Sequence, residues 1–220
     1  MLFFAMAIVI VAAESFLLGS IPWGVVLSRF IMHDDVREHG SGNIGTTNMM
    51  RTYGKKLGIA CFVLDFTKAL GACLLAQLLT TIFCETGWIT PEFAASNTLV
   101  ASATFACVYG HIFSPWLGFK GGKGIAAGVG CLFVAYGPLW AIIELALFGV
   151  LTLITRYVSV GSIAAALLCC VLAFVCYWPN IPAVILMFAV GATVFWAHRA
   201  NLSRLMNGTE NKIGSKKKAE

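Results

Sequence analysis

Two lysines and four glycines fall within seven residues at Gly118-Phe119-Lys120-Gly121-Gly122-Lys123-Gly124. Glycines let backbone N–H groups turn toward an anion, and the lysines add point charges to the same concavity. The expected ligand is a phosphate, held by Lys120, Gly121, Gly122, Lys123 and Gly124. The Walker pattern would need Gly at 117 and Ser or Thr at 124, where the chain has Leu117 and Gly124, so no nucleotide is implied. His111, just upstream, has three readings: a ligand, an acid–base group, or a residue satisfying a helix end.

Three further polar clusters carry similar chemistry. In the segment Glu38 to Arg51, Ser41, Gly42, Asn43 and Asn48 offer hydroxyl, amide and free backbone donors, and Arg51 can grip a phosphate bidentately. The competing reading is an ordinary interhelical loop. In Thr155 to Ser162, Arg156, Ser159 and Ser162 suit either phosphate binding or membrane anchoring with helix capping. In His198 to Glu210, His198 and Asn201 stand at i, i+3 and share a face, a device for orienting or deprotonating a hydroxyl. Asp65 and Lys68 are also at i, i+3, and an ion pair there is as well explained by structure as by site support. Glu14 and Glu144 lie within apolar runs and are functional suspects without an assigned role.

These clusters must be carried by membrane-spanning helices. The chain has 220 residues, 59% hydrophobic and 11% charged, with mean hydropathy +0.86, against roughly 25% charged in soluble domains. Met1 to Val26 has no basic leader and contains Glu14, so it reads as a retained first span. All eight cysteines sit in apolar runs without C-x-x-C spacing, and no histidine lies at ligand spacing from them, so neither a disulfide framework nor a zinc site is supported. No metal or cofactor is expected, and the net charge of +5 follows the membrane and does not imply nucleic acid.

Lys and Arg cluster at 29–56, 68, 120–123, 156 and 199–218, whereas Cys84–Asn97 and Trp178–Pro182 contain none. An excess of Lys and Arg marks the cytoplasmic side. The resulting expectation is all-α: a polytopic membrane helix bundle in one domain, residues 1–220, with seven transmembrane helices. Its N-terminus is outside and its C-terminus cytoplasmic. The spans are Met1–Leu27 with a kink at Pro22, Leu57–Phe83, Ala94–Phe113, two short helices of ~15 residues turning at Tyr136-Gly137-Pro138, Val158–Tyr177 and Ala183–Ala197. A five-span alternative lets the short pair dip into one leaflet. Lys216-Lys217-Lys218 reads as a solubilising or headgroup-facing patch.

Taken together the motifs resemble the acyl-phosphate-dependent glycerol-3-phosphate acyltransferases of bacterial membranes. The resemblance is carried by Gly40-Ser41-Gly42-Asn43-Ile44-Gly45 with Thr47-Asn48 and Arg51, then Gly110-His111 with Phe119 to Gly124, then His198-Arg199 with Asn201, Arg204-Leu205 and Gly208-Thr209-Glu210. Smaller matches are Gly19 to Pro22, Asp65 with Lys68, and Arg156 to Ser162. Departures are Pro115, one place later than usual, Ala69 for a glycine, and Thr46 for an alanine. The resemblance implies transfer of an acyl chain from acyl-phosphate to the 1-hydroxyl of glycerol 3-phosphate, giving lysophosphatidic acid and phosphate. It implies a multi-pass protein of the bacterial inner membrane with seven spans and a cytoplasm-facing site, acting on these two small molecules and membrane lipid. It is read as a monomer. On this reading Ser41, Asn48, Arg51 and the 120–124 loop hold phosphates, and His198 with Asn201 orients the glycerol.

Two other classes compete. A soluble-type acyltransferase would show H-x-x-x-x-D, but the fifth residues after His33, His39, His111 and His198 are Glu38, Ile44, Trp116 and Ser203. An anion transporter would need polar groups near the bilayer midplane with access from both sides, whereas the basic clusters here crowd one interface.

Overall fold

The structure, a computed structural model, describes residues 2–214. It is built from α-helices: α1 (Leu2–Ser20), α2 (Trp23–Ile31), α3 (Thr46–Tyr53), α4 (Lys55–Glu85), α5 (Pro91–Ala95), α6 (Thr98–Ile112), α7 (Ile125–Ala135), α8 (Pro138–Thr155), α9 (Val158–Tyr177), α10 (Ile181–Ala197) and α11 (Arg199–Met206). The Lys216–Lys218 patch lies outside the described residues.

Four segments are long and apolar enough to cross a membrane: Leu2–Ile31, Lys55–Glu85, Pro138–Thr155 and Val158–Tyr177. Ile181–Ala197 with Arg199–Met206, bent by 48°, makes a fifth if counted as one span. Their outward faces stay apolar. On α8, Leu139, Ile142, Val150, Leu153 and Ile154 are all exposed, which suits contact with lipid and not water.

Helix ends follow local chemistry. The first span breaks at Ile21–Pro22, because Pro22 lacks an N–H to continue the ladder. The expected span Ala94–Phe113 is interrupted: Asn97 takes a left-handed conformation, so α5 ends at Ala95 and α6 starts at Thr98. The expected pair of ~15-residue helices is unequal, with α7 at 11 residues and α8 at 18. Gly124, at φ 87°, delays the start of α7, and Arg156, left-handed at φ 64°, lets α8 run to Thr155.

Close packing depends on small residues, as between membrane helices generally. A Cβ at Gly19 would strike the backbone of Cys107, and one at Gly110 would strike that of Phe16, so α1 and α6 touch backbone to backbone. A larger core gathers Ala69, Ala72 and Cys73 of α4, Cys107 and Val108 of α6, Cys131 of α7, Cys169 and Leu172 of α9, and Met187 of α10. A smaller core of Val25, Val36, Ile44, Met49 and Cys61 secures the α2–α3 region against α4.

Candidate functional site

At one end of the bundle the polar segments surround a cavity of about 270 Å³. Its mouth is lined by Ser41, Asn43, Asn48, Arg51, Lys123, Gly124, Ser159, Ser162, His198, Asn201 and Glu210. His111 and Asp65 also contribute. From this mouth an apolar limb runs between helices, bounded by Leu132, Leu145, Phe148, Ala165, Ala166, Val190 and Val194. The cavity therefore has a charged end and a greasy end.

The segment before α3 is held by its own side chains. Asn48 Oδ1 accepts from Ser41 N at 3.0 Å, while Asn48 Nδ2 donates to the carbonyls of Val36 and His39 at 3.0 Å each. Its amide is thus spent on shaping the loop, although the sequence suggested a phosphate ligand. Asn43 Oδ1 accepts from Gly45 N at 2.9 Å and turns the chain into α3. Behind them Asp34 takes hydrogen bonds from His39 and from Tyr53 Oη, both at 2.8 Å. These bonds hold its carboxyl below the usual range.

The glycine-rich loop rests on His111. Gly122 N donates to the His111 carbonyl at 3.0 Å and Gly121 N to that of Ile112 at 2.9 Å. A Cβ at Gly121 would collide with both carbonyls, and one at Gly122 with the His111 ring, so glycine is required at both positions. The ring is fixed in turn: Lys68 Nζ lies 3.1 Å from His111 Nδ1 and 2.8 Å from Asp65 Oδ1, and also donates to the Ile21 carbonyl. An ammonium can only donate, so Nδ1 accepts from it. Asp65, Lys68 and His111 form a buried brace under the loop.

Beyond the loop a chain of contacts crosses the mouth. Lys123 Nζ donates to Asn201 Oδ1, Asn201 Nδ2 donates to Glu210 Oε1 at 2.8 Å, and Arg204 Nε donates to Glu210 Oε2 at 2.7 Å. Burial, aided by the charges of Arg204 and Arg51, lowers the Lys123 pKa to about 8. Burial alone would raise Glu210, but the hydrogen bonds from Asn201 and Arg204 outweigh it and leave its pKa lowered. His198 Nδ1 lies 2.8 Å from the Val194 carbonyl. A carbonyl only accepts, so Nδ1 carries the hydrogen and Nε2 of the neutral ring is left as an acceptor.

Three helix N-termini reach the same cavity: Thr46 and Thr47 of α3, Ile125 and Ala126 of α7, and Val158 and Ser159 of α9. Their unpaired N–H groups and partial positive charge favour an anion. Together with Arg51, Lys123 and Arg204 they make the mouth strongly electropositive. Sequence reasoning did not single out Thr46, Thr47 or Arg204 as site residues. The β-hydroxyl residues at the start of α3 were the available signal.

Five expected residues do not line the cavity. Gly42, Gly121 and Gly122 shape the backbone beside it, and Lys120 is exposed. Arg156 is engaged elsewhere, its Nη2 donating to the Ile213 carbonyl at 3.0 Å and its own carbonyl accepting from Ile213 N at 2.8 Å. Residues 207–214 thus form a strap across the mouth, with Glu210 and Asn211 facing in and Arg51 Nη2 3.5 Å from the Asn211 carbonyl. Among the described residues no group of three or more His, Cys, Asp or Glu side chains is arranged to hold a metal ion.

Comparison with known proteins extends these observations. A sequence model described as glycerol-3-phosphate acyltransferase matches residues 8–208. A glycerol-3-phosphate acyltransferase of Anaeromyxobacter dehalogenans is 42% identical over 204 residues, covering 93% of this chain and 96% of that protein. One from Rhizobium etli is 38% identical over 205 residues, covering 93% and 91%. Among solved structures, PlsY (YgiH), an integral membrane glycerol 3-phosphate acyltransferase in its glycerol 3-phosphate form, superposes with TM-score 0.80 at 32% identity, covering 94% of this chain and 96% of the other. The same protein in its lysophosphatidic acid form gives TM-score 0.77 at 31% identity, covering 94% and 95%.

Proposed function

The chain belongs to the glycerol-3-phosphate acyltransferase family, and from that premise we propose that it moves a fatty acyl chain from acyl-phosphate to the 1-hydroxyl of glycerol 3-phosphate. The products are lysophosphatidic acid and inorganic phosphate. The observation that carries this reading is the two-ended cavity: an electropositive mouth sized by several anion-binding groups, continuous with an apolar limb. An acyl-phosphate has that same division, and a second phosphorylated substrate needs the further cations at the mouth.

A mixed anhydride is already activated, so no covalent enzyme intermediate is needed. The task is to hold two anions together and stabilise the departing phosphate. The 1-hydroxyl oxygen attacks the acyl carbonyl carbon, a new ester C–O bond forms, and the bond from that carbon to the phosphate oxygen breaks. The hydroxyl proton passes to His198 Nε2 or to the departing phosphate. Ser41, Arg51, Lys123, Gly124 and the α3 and α9 N-termini, with Ser159 and Ser162, hold the phosphates. Asn201 and Glu210 hold Lys123 in place, and Asn43 and Asn48 hold the loop that presents Ser41. Lys68, His111 and Asp65 act through the glycine-rich loop.

The same reading includes seven spans in one domain: α1 with α2, then α4, α6, α7, α8, α9 and α10. The N-terminus is outside, and the mouth opens to the cytoplasm from the bacterial inner membrane, with a monomer sufficient for the site. It is supported by the basic residues, which gather at the mouth end.

The test is purified protein in detergent micelles given glycerol 3-phosphate and one of three donors: acyl-phosphate, acyl-acyl-carrier protein or acyl-coenzyme A. Phosphate release and lysophosphatidic acid formation dependent on acyl-phosphate and glycerol 3-phosphate are expected. Turnover with either thioester and none with acyl-phosphate would overturn the assigned donor.

A further inference from the structure

The apolar limb of the cavity contains one side chain that does not belong in it. Glu144 of α8 is 5% exposed, lines the cavity, and its Oε2 has no hydrogen-bond partner. Its neighbours along the limb are Leu145, Phe148, Ala165, Ala166 and Cys169. Tyr136 Oη is committed to the Cys169 carbonyl at 2.8 Å, and Cys169 Sγ points to the Met187 carbonyl. Buried polar groups are paired in the great majority of cases, and an exception needs an explanation.

Depth supplies one. Cys169 lies two helical turns past Ser162, and Val190 about two turns before His198, so the limb extends ~10–12 Å beyond the polar mouth. Glu144 sits over three turns ahead of Arg156 on the antiparallel α8, ~18 Å along its axis, level with Cys169. The carboxyl is therefore at the far end of the limb. A staggered hydrocarbon built from ~1.5 Å bonds advances by about 1.3 Å per bond, so the limb takes roughly eight or nine carbons before meeting it.

We infer that Glu144 is a polar end stop of the acyl slot and a specificity-determining residue for chain length, an inference that rests on the acyl-transfer reading above. A short chain leaves the carboxyl free to be solvated by water. A long one must either cover it with methylenes, which offer no hydrogen bond, or leave the slot sideways. Covering an unpaired polar group costs on the order of tenfold in an equilibrium.

The test compares the unmodified protein with Glu144→Met and Glu144→Gln in lipid nanodiscs. Octyl, decyl, dodecyl and hexadecyl phosphate are the probes, at equal mole fraction in the bilayer so that partitioning cancels. Glu144→Met is expected to raise the ratio of hexadecyl to octyl affinity by about tenfold, while Glu144→Gln, which still needs hydrogen bonds, keeps the original ratio. An unchanged ratio in Glu144→Met, or an equal rise in Glu144→Gln, overturns the inference. Turnover of acyl-phosphates of matching lengths is measured alongside. Its absence in the unmodified protein would refute the acyl-transfer reading, and the binding ratios would still decide the role of Glu144.

Discussion

Replacing Lys123 with methionine tests the charged end of the cavity. Lys123 is anchored by Asn201, which is anchored by Glu210, so the ammonium reaches a bound phosphate without an ordering cost. A hydrogen bond to a charged group contributes about 1.5–3 kcal/mol, so Lys123→Met should raise KM for glycerol 3-phosphate between about tenfold and 150-fold. The kcat at saturation should change little, because the lost contact is made equally in the ground and transition states. The assay is initial-rate phosphate release at varied glycerol 3-phosphate and saturating acyl-phosphate. A fall in kcat with KM unchanged would refute the binding role. The pH profile sharpens the test. With a pKa of about 8, Lys123 is charged at pH 7 and loses its proton as pH rises through 8, so KM should climb about tenfold per unit above that point. The substrate phosphate, with a second pKa of about 6, is already a dianion there. Lys123→Arg should remove the break, since guanidinium stays charged. Stability runs the other way. The folded pKa lies below the ordinary lysine value of 10.5, so the unfolded chain binds more protons in this window and Lys123 favours folding more as pH rises from about 8 to 10.5. The difference in Tm between the unmodified protein and Lys123→Met should shift in that direction.

Other outcomes follow from the same geometry. Gly121→Ala drives a Cβ into two backbone carbonyls, so thermal stability should fall by about 1–3 kcal/mol with activity lost, whereas Gly149→Ala, with nothing within 4 Å, should leave Tm unchanged or slightly raised. Asp65→Leu leaves the Lys68 ammonium buried without its carboxylate and should cost about 3–5 kcal/mol, while the double change Asp65→Leu with Lys68→Met should recover most of that in a thermal-shift cycle. His198→Ala should lower kcat by about 10²–10⁴-fold if its Nε2 takes the hydroxyl proton, and unchanged turnover would assign that proton to the phosphate.

Much of the scaffold was legible because breakers are local. Pro22, Gly137-Pro138 and the glycines around Lys123 announce their turns in the sequence, and the structure places its helix ends there. Interior facing was not legible. α8 is apolar nearly all round, so no pattern told that Glu144 faces the cavity while Leu153 and Ile154 face outward. The role of Asn48 was not legible for a related reason. An amide suited to a phosphate is equally suited to three backbone groups of its own loop, and only the fold decides. Arg156 and the strap at 207–214 meet across more than fifty residues of chain, a contact that no local spacing encodes.

The most direct test of the account is sidedness with protection. Ser41→Cys, Lys123→Cys and His198→Cys, each introduced singly, would be exposed to a membrane-impermeant maleimide in intact cells and in inverted vesicles. All three should label only in inverted vesicles, and more slowly when alkyl phosphate and glycerol 3-phosphate are both present. Labelling of these positions from opposite faces would contradict it, because one cavity could not then hold both phosphates.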